Sequence, residues 1–98
     1  MQSISTEELQ RKLELNKTIN ILDVREVAEV EQGHIPGITN IPLSLLEFRM
    51  NELNKKKEYF IICRSGARST KATQFLESYG FRVTNVTGGM MNWQGKIV

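Results

Sequence analysis

The one cysteine of this chain, Cys63, ends an apolar segment and opens a short polar one. The residues that follow it are Arg64, Ser65, Gly66, Ala67 and Arg68. A helix is predicted to begin at about Ser69, so this segment is a loop that leads into a helix. The first backbone N–H groups of a helix lack partners within the helix and carry partial positive charge, which stabilises anions. The loop therefore favours the thiolate of Cys63 over the thiol.

The loop contains further features that favour a negative charge on sulfur. Gly66 lets the backbone curl without a Cβ clash, and Arg64 and Arg68 are expected to add two full positive charges near the sulfur. A free cysteine has a pKa of about 8.5, and helix N-termini and cations lower it to about 3.5–7.5. A buried structural cysteine would not explain this loop. Cys63 is therefore predicted to be a nucleophile that needs no histidine base.

The chain's one histidine, His34, lies in a Gly-His-Ile-Pro-Gly turn that is remote in sequence from Cys63. It is expected to make a structural hydrogen bond. One cysteine and one histidine cannot supply the three or four ligands of a soft-metal site. The sequence therefore predicts no metal and no cofactor.

Length and charge restrict the other classes of function. The 98 residues, 40% of them hydrophobic, suit one compact domain over residues 1–98. Thirteen basic and eleven acidic residues give a net charge of +2, and the basic ones are scattered apart from residues 55–57, so no nucleic-acid partner is predicted. The N-terminus lacks a signal-peptide pattern, and no apolar run approaches the roughly 20 residues of a membrane span. We expect no membrane contact and a cytoplasmic location.

Strand and helix patterns alternate along the chain. Predicted strands cover residues 3–4, 19–24, 38–41, 59–63 and 82–86, and predicted helices cover 5–15, a short segment to about 32, a segment from 44, and 69–79. Ser5 with Glu8, and Ser44 with Glu47, have the spacing of a capping box. In the helix predicted to begin at Ser44, four side chains are available to pack inward: Leu45, Leu46, Phe48 and Leu53.

The alternation predicts an α/β fold with a parallel sheet and helices on both of its faces. The nearly continuous apolar run Tyr59–Cys63 is typical of a central strand covered on both faces. Open parallel sheets place their sites at the carboxyl ends of strands, where Cys63 is expected.

At these residues the chain resembles the single-domain rhodaneses, a family of sulfurtransferase domains, from about Ile4 to Trp93. Five segments carry the resemblance: Leu22-Asp-Val-Arg-Glu26, Gly33-His-Ile-Pro-Gly-Ile-Thr-Asn-Ile-Pro42, Ile62-Cys-Arg-Ser-Gly-Ala-Arg-Ser69, the helix with Ala72, Leu76 and Gly80, and Val86-Thr-Gly-Gly-Met-Met-Asn-Trp93. The resemblance implies a five-stranded parallel sheet flanked by helices, a catalytic Cys63, and a cradle of backbone amides from Arg64 to Arg68 that holds the transferred sulfur.

The resemblance also implies a mechanism and partners. The Cys63 thiolate would attack the outer sulfur of a donor such as thiosulfate and release sulfite, and an acceptor such as cyanide or a thiol would then remove the sulfur from the persulfide. Small sulfur donors and these acceptors are the expected partners, together with a sulfur-relay protein.

The resemblance further implies supporting residues around the loop. Asp23 and Arg25 are expected to support the turn beside the loop by ion pairing and hydrogen bonds, and Gly88-Gly89 to form a tight turn.

Three alternatives remain open from the sequence. A phosphatase or arsenate reductase related to the same fold would also use a cysteine, backbone amides and an arginine. The loop typical of those enzymes has five residues between the cysteine and the arginine, whereas four residues separate Cys63 from Arg68. A non-catalytic docking module is a second alternative, although inactive rhodanese-like domains typically lack the cysteine. A persulfide carrier that serves a partner enzyme lies between docking and catalysis.

Overall fold

The computed structural model describes residues 1–15 and 18–98. Its strands are Gln2–Ser5 (β1), Asn20–Asp23 (β2), Thr39–Asn40 (β3), Glu58–Ile62 (β4) and Arg82–Thr87 (β5). Its α-helices are Thr6–Leu15 (α1), Val27–Glu31 (α2), Leu46–Arg49 (α3), Ala67–Ser78 (α4) and Gly89–Asn92 (α5), and short 3-10 turns at Leu43–Leu45 and Met50–Glu52 flank α3.

The five strands form one parallel sheet in the order β1-β5-β4-β2-β3. Asp23 pairs with Ile62, so β2 and β4 end side by side at the same edge of the sheet. The predicted α/β fold is therefore confirmed. Within the described ranges, no helix is both long and apolar enough to cross a membrane, and the cytoplasmic location stays a prediction.

The central strand β4 is buried on both faces, as its apolar run predicted. Ile61 belongs to one hydrophobic cluster, which includes Ala72 and Leu76 of α4. Phe60 and Ile62 belong to a second cluster on the opposite face, which includes Leu9 of α1. Successive side chains of a strand point to opposite faces. Helices therefore cover both faces of the sheet, and the end of β4 is held by packing from two sides.

The first predicted capping box is present and the second is not. Ser5 Oγ accepts from the Glu8 amide at 3.1 Å, and the Ser5 amide donates to the Glu8 carboxylate at 3.2 Å. Ser44 instead lies inside a 3-10 turn that follows Pro42, and α3 begins without a side-chain cap. The Leu43 amide donates to Val24 O at 3.1 Å, which ties the start of this segment to the end of β2.

The side chains expected to face inward from this segment divide into two groups. Leu46 and Leu53 are buried, but Leu45 is 42% exposed and Phe48 is 80% exposed. The prediction for Leu45 and Phe48 was therefore wrong. Since α3 is one turn long and residues one or two apart do not share a helix face, Leu46 takes the only inward position.

This difference gives a stability prediction. We expect Leu46→Ala to lower the free energy of unfolding by about 2–5 kcal/mol, because it removes a fully buried side chain. Phe48→Ala is the matched control and is expected to change it by no more than about 0.5 kcal/mol. Urea denaturation followed by circular dichroism measures both values. A larger loss for Phe48→Ala than for Leu46→Ala would contradict the placement of α3.

Candidate active site

Cys63 follows β4 directly, and Gly66 is the residue immediately before α4. Only Arg64 and Ser65 lie between them, so the chain reverses within a very short segment. Gly66 makes the reversal with a φ of +111°, a conformation that residues with a Cβ rarely adopt. Helix α4 starts at Ala67, two residues earlier than the sequence predicted, because this turn delivers the chain directly into the helix.

The loop folds around the Cys63 sulfur. The Gly66 amide lies 3.1 Å from Sγ and the Ser69 amide lies 3.3 Å from it. The Ser69 hydroxyl oxygen is 3.4 Å from Sγ and is itself fully buried. Cys63 is only 1% exposed. The sulfur therefore sits at the point where two backbone N–H groups and one hydroxyl converge.

These contacts act on the acidity of the thiol. Burial raises the pKa of Cys63, as it does for any group that becomes anionic away from water. Hydrogen bonds from the Ser69 side chain and from the backbone of Ser69, Gly66 and Ser65 outweigh burial, so the pKa is lower than that of an ordinary cysteine. The thiolate is therefore stabilised mainly by oriented donors.

The Gly66 carbonyl holds the loop to α4. It accepts hydrogen bonds from Thr70 Oγ1 at 2.7 Å and the Thr70 amide at 3.0 Å. It also lies 3.1 Å from Ser69 Oγ, whose one proton is donated either to this carbonyl or to the Cys63 thiolate. Asn85 of β5 then donates from Nδ2 to Thr70 Oγ1 at 3.2 Å. The turn is thus fixed through α4 to the neighbouring strand.

The turn at Gly88-Gly89 supports the loop from the other side. The Met90 amide donates to Cys63 O at 2.8 Å, and the Met91 amide donates to Arg64 O at 2.9 Å. A Cβ on Gly89 would lie 2.5 Å from both of these carbonyl oxygens. Two carbonyls of the loop are therefore turned toward α5, which leaves N–H groups to face the sulfur.

The expectation of two free positive charges in the loop needs correction. The Arg68 guanidinium forms a two-point ion pair with Glu29 of α2, at 2.7 and 2.9 Å. The Arg68 side-chain hydrogen bond lowers the pKa of Glu29 to about 2, so Glu29 is ionised near neutral pH. Arg64 is exposed and forms no ion pair with any residue that the structure describes. Of the two arginines of the loop, Arg68 is therefore neutralised by Glu29 and Arg64 is unpaired.

Asp23 and Arg25 form a buried ion pair at the end of β2. Arg25 Nη2 lies 2.8 Å from Asp23 Oδ2 and also donates to Gly33 O at 2.8 Å. Asn40 Nδ2 donates to the carbonyl oxygens of both Asp23 and Arg25. The Val24 amide donates to Ile62 O at 2.9 Å, one residue before Cys63. This pair joins β2 and the turn at Gly33 beside the loop.

His34 makes a hydrogen bond to the backbone, as its turn suggested. Its Nδ1 lies 2.8 Å from Val30 O, and because a carbonyl can only accept, Nδ1 carries the proton.

A depression of about 530 Å³ opens near this turn and beside Arg64. It is lined by Arg25, Glu29, Gln32, Gly33, Arg64, Met90, Met91 and Ile97.

Three residues have roles at this site that the sequence analysis did not predict: Ser69, Glu29 and Gly89. Ser69 follows the loop directly and has a hydroxyl, which was a usable signal. Glu29 is 39 residues from Arg68, and nothing local indicates that they meet. Gly89 was expected only as part of a tight turn, because its approach to Cys63 and Arg64 depends on the packing of α5.

Known proteins resemble this chain in both sequence and fold. Residues 5–96 match the model of the family described as "Rhodanese-like domain". The Bacillus subtilis protein named "Putative sulfurtransferase YtwF" is 42% identical over 96 residues, which cover 98% of this chain and 93% of that protein. The Bacillus subtilis protein named "Putative sulfur carrier protein YrkF" is 48% identical over 94 residues, which are 95% of this chain but only about half (51%) of that protein.

A crystal structure of a rhodanese-like domain protein from Staphylococcus aureus has the same fold. Its TM-score to this chain is 0.92 at 40% sequence identity, over 98% of this chain and 94% of the other. The matched family region includes every residue of the loop that surrounds the Cys63 sulfur. This chain belongs to the rhodanese-like domain family.

Proposed function

We propose that this protein is a sulfurtransferase that carries a sulfur atom on Cys63 as a persulfide. The observation that carries the proposal is the convergence of the Gly66 and Ser69 amides on Sγ, at 3.1 and 3.3 Å. Family membership and a relative with a sulfurtransferase name support sulfur transfer as the general chemistry.

In the first half-reaction, the Cys63 thiolate attacks the outer sulfur of thiosulfate or of a persulfide or polysulfide donor. An S–S bond forms to Cys63 as the donor's own bond to that sulfur breaks, and the bonding electron pair leaves with sulfite when thiosulfate is the donor. The lowered pKa of Cys63 supplies the thiolate without a separate base. The product is Cys63–S–S⁻.

In the second half-reaction, an external nucleophile such as cyanide or a thiol attacks the outer sulfur. The electron pair of the S–S bond returns to Cys63, which regenerates the thiolate, and thiocyanate or a new persulfide leaves. The chain has no second cysteine that could discharge the persulfide internally.

The loop residues Arg64, Ser65, Gly66, Ala67 and Arg68 form the substrate-binding segment in this proposal. Backbone amides hold the anionic sulfur, and Arg64 attracts anionic donors because its charge is unpaired and exposed. Asp23 and Arg25 act as positioning residues, since their contacts run to each other and to the backbone at the end of β2. No step in this scheme calls for a cofactor.

A protein acceptor is a second form of the same proposal. The relative named "Putative sulfur carrier protein YrkF" is 48% identical to this chain over 95% of its length. The outer sulfur of a persulfide on a lone cysteine must also be passed to another molecule to complete a cycle. We propose a sulfur-relay partner as an acceptor alongside small thiols and cyanide.

The persulfide is tested by intact-mass measurement. After incubation with thiosulfate we expect the protein to gain the mass of one sulfur atom, which cyanide removes as thiocyanate. Cys63→Ala is expected to gain no sulfur and to form no thiocyanate. If neither thiosulfate nor a persulfide or polysulfide loads the protein, the sulfur-transfer proposal is wrong. Assays with phosphate esters and with arsenate then test the phosphatase and arsenate reductase alternatives.

The role of Ser69 is tested by the pH dependence of alkylation. Because a hydrogen bond from the Ser69 side chain lowers the pKa of Cys63, Ser69→Ala is expected to raise that pKa. The iodoacetamide rate curve should shift to higher pH, and the rate at pH 7 should fall several-fold.

Ser78→Ala, at the other end of α4, is the matched control and should leave the curve in place, because the Ser78 hydroxyl donates to Phe75 O, away from the sulfur. A curve for Ser69→Ala that coincides with that of the wild type would show that the hydroxyl does not act on the sulfur.

A further inference from the structure

The charged side chains at the solvent-facing side of the loop, its mouth, include Glu29, Arg64, Arg68 and Arg25. Arg25 is paired with the buried Asp23. Glu29 and Arg68 are paired at 2.7 Å, and their side chains are 32% and 33% exposed. Glu29 and Arg64 both line the depression beside the loop. Among the residues that the structure describes, an incoming donor would therefore meet the neutralised Glu29–Arg68 pair and the unpaired charge of Arg64.

Arg68 directly precedes Ser69, whose amide lies 3.3 Å from the reacting sulfur of Cys63. The pKa of Arg68 is raised chiefly by its hydrogen bond to Glu29, and the Cys63 thiolate adds a smaller electrostatic increase. Without Glu29, the Arg68 charge would act in full on any anion that approaches Cys63. Glu29 thus weakens the positive field at the sulfur.

Glu29 is held in this position independently of Arg68. The Glu26 amide donates to Glu29 Oε1 at 3.0 Å as part of the capping box that begins α2. The carboxylate therefore has one bond to its own helix and two to Arg68. It is a fixed negative charge at the mouth of the loop.

We propose that Glu29 is a specificity-determining residue, which selects singly charged sulfur donors over doubly charged ones by neutralising Arg68. The proposal rests on the sulfur-transfer function proposed above. The favoured class is the monoanionic sulfane donor, such as an alkyl persulfide or a thiosulfonate, relative to the dianion thiosulfate.

The expected size follows from Coulomb's law. One unit charge acting on another at about 4 Å in water-like surroundings changes an equilibrium by roughly fivefold. Removing the Glu29 charge should therefore favour a dianion over a monoanion by about fivefold at low salt. The effect should shrink as ionic strength rises, because partly exposed charges are screened.

The test compares thiosulfate with methanethiosulfonate, which transfers the same kind of sulfur with one negative charge fewer. The variant is Glu29→Gln, whose amide oxygen can still accept from the Glu26 amide and from Arg68. The ratio of kcat/KM for thiosulfate to that for methanethiosulfonate is expected to rise about fivefold at low salt. Glu31→Gln, an exposed residue of the same helix, is the matched control and should leave the ratio unchanged.

Arg68→Gln provides a test of opposite sign. It leaves the Glu29 charge unpaired, so the ratio is expected to fall by a similar factor. The double variant Glu29→Gln/Arg68→Gln removes both charges and should return the ratio close to that of the wild type. If Glu29→Gln alone does not fold, comparison of Arg68→Gln with the double variant tests Glu29, because removing the Glu29 charge should raise the ratio about fivefold there as well.

An unchanged ratio in Glu29→Gln, a change that does not depend on salt, or an equal change in Glu31→Gln would each overturn the proposal for Glu29. These outcomes differ from failure of the proposed function. In that case the wild type itself would take no sulfur from either donor.

Discussion

The hydrogen bond between the Gly66 amide and the Cys63 sulfur is the interaction on which the site depends. It exists because Gly66 adopts a left-handed conformation that turns the chain back on itself within three residues. The same turn begins α4, whose Ser69 amide and hydroxyl complete the group around Sγ. A cysteine at the end of a buried strand would otherwise be a small apolar side chain.

The surrounding fold keeps that short turn in one shape. Strand β4 is packed on both faces, so Cys63 has little freedom to move. The Gly66 carbonyl is tied to α4, and the carbonyls of Cys63 and Arg64 are tied to α5. Because these carbonyls have partners elsewhere, the N–H groups can point at the sulfur without reorganisation, which is the condition for electrostatic stabilisation of an anion.

The sequence predicted those features that rest on local signals. The apolar run of β4, the capping box at Ser5 and the glycine in the loop each depend on residues close together in the chain. The Glu29–Arg68 pair joins residues 39 apart, and it halves the positive charge that the two loop arginines were expected to add. Ser44 had the right spacing for a cap, but Pro42 and the bond from Leu43 to Val24 placed it inside a 3-10 turn. Tertiary contacts decided both cases.

Gly89 shows that the fold restricts substitutions at a position outside the loop itself. Any side chain there would collide with the carbonyl oxygens of Cys63 and Arg64, so the shape of the loop also restricts which residue can occupy position 89. In a mutational scan scored by the activity of the protein, position 89 would therefore be intolerant of substitution, as Cys63 would be. Substitution of Cys63 would remove the reacting sulfur, whereas substitution of Gly89 would displace the backbone that surrounds that sulfur.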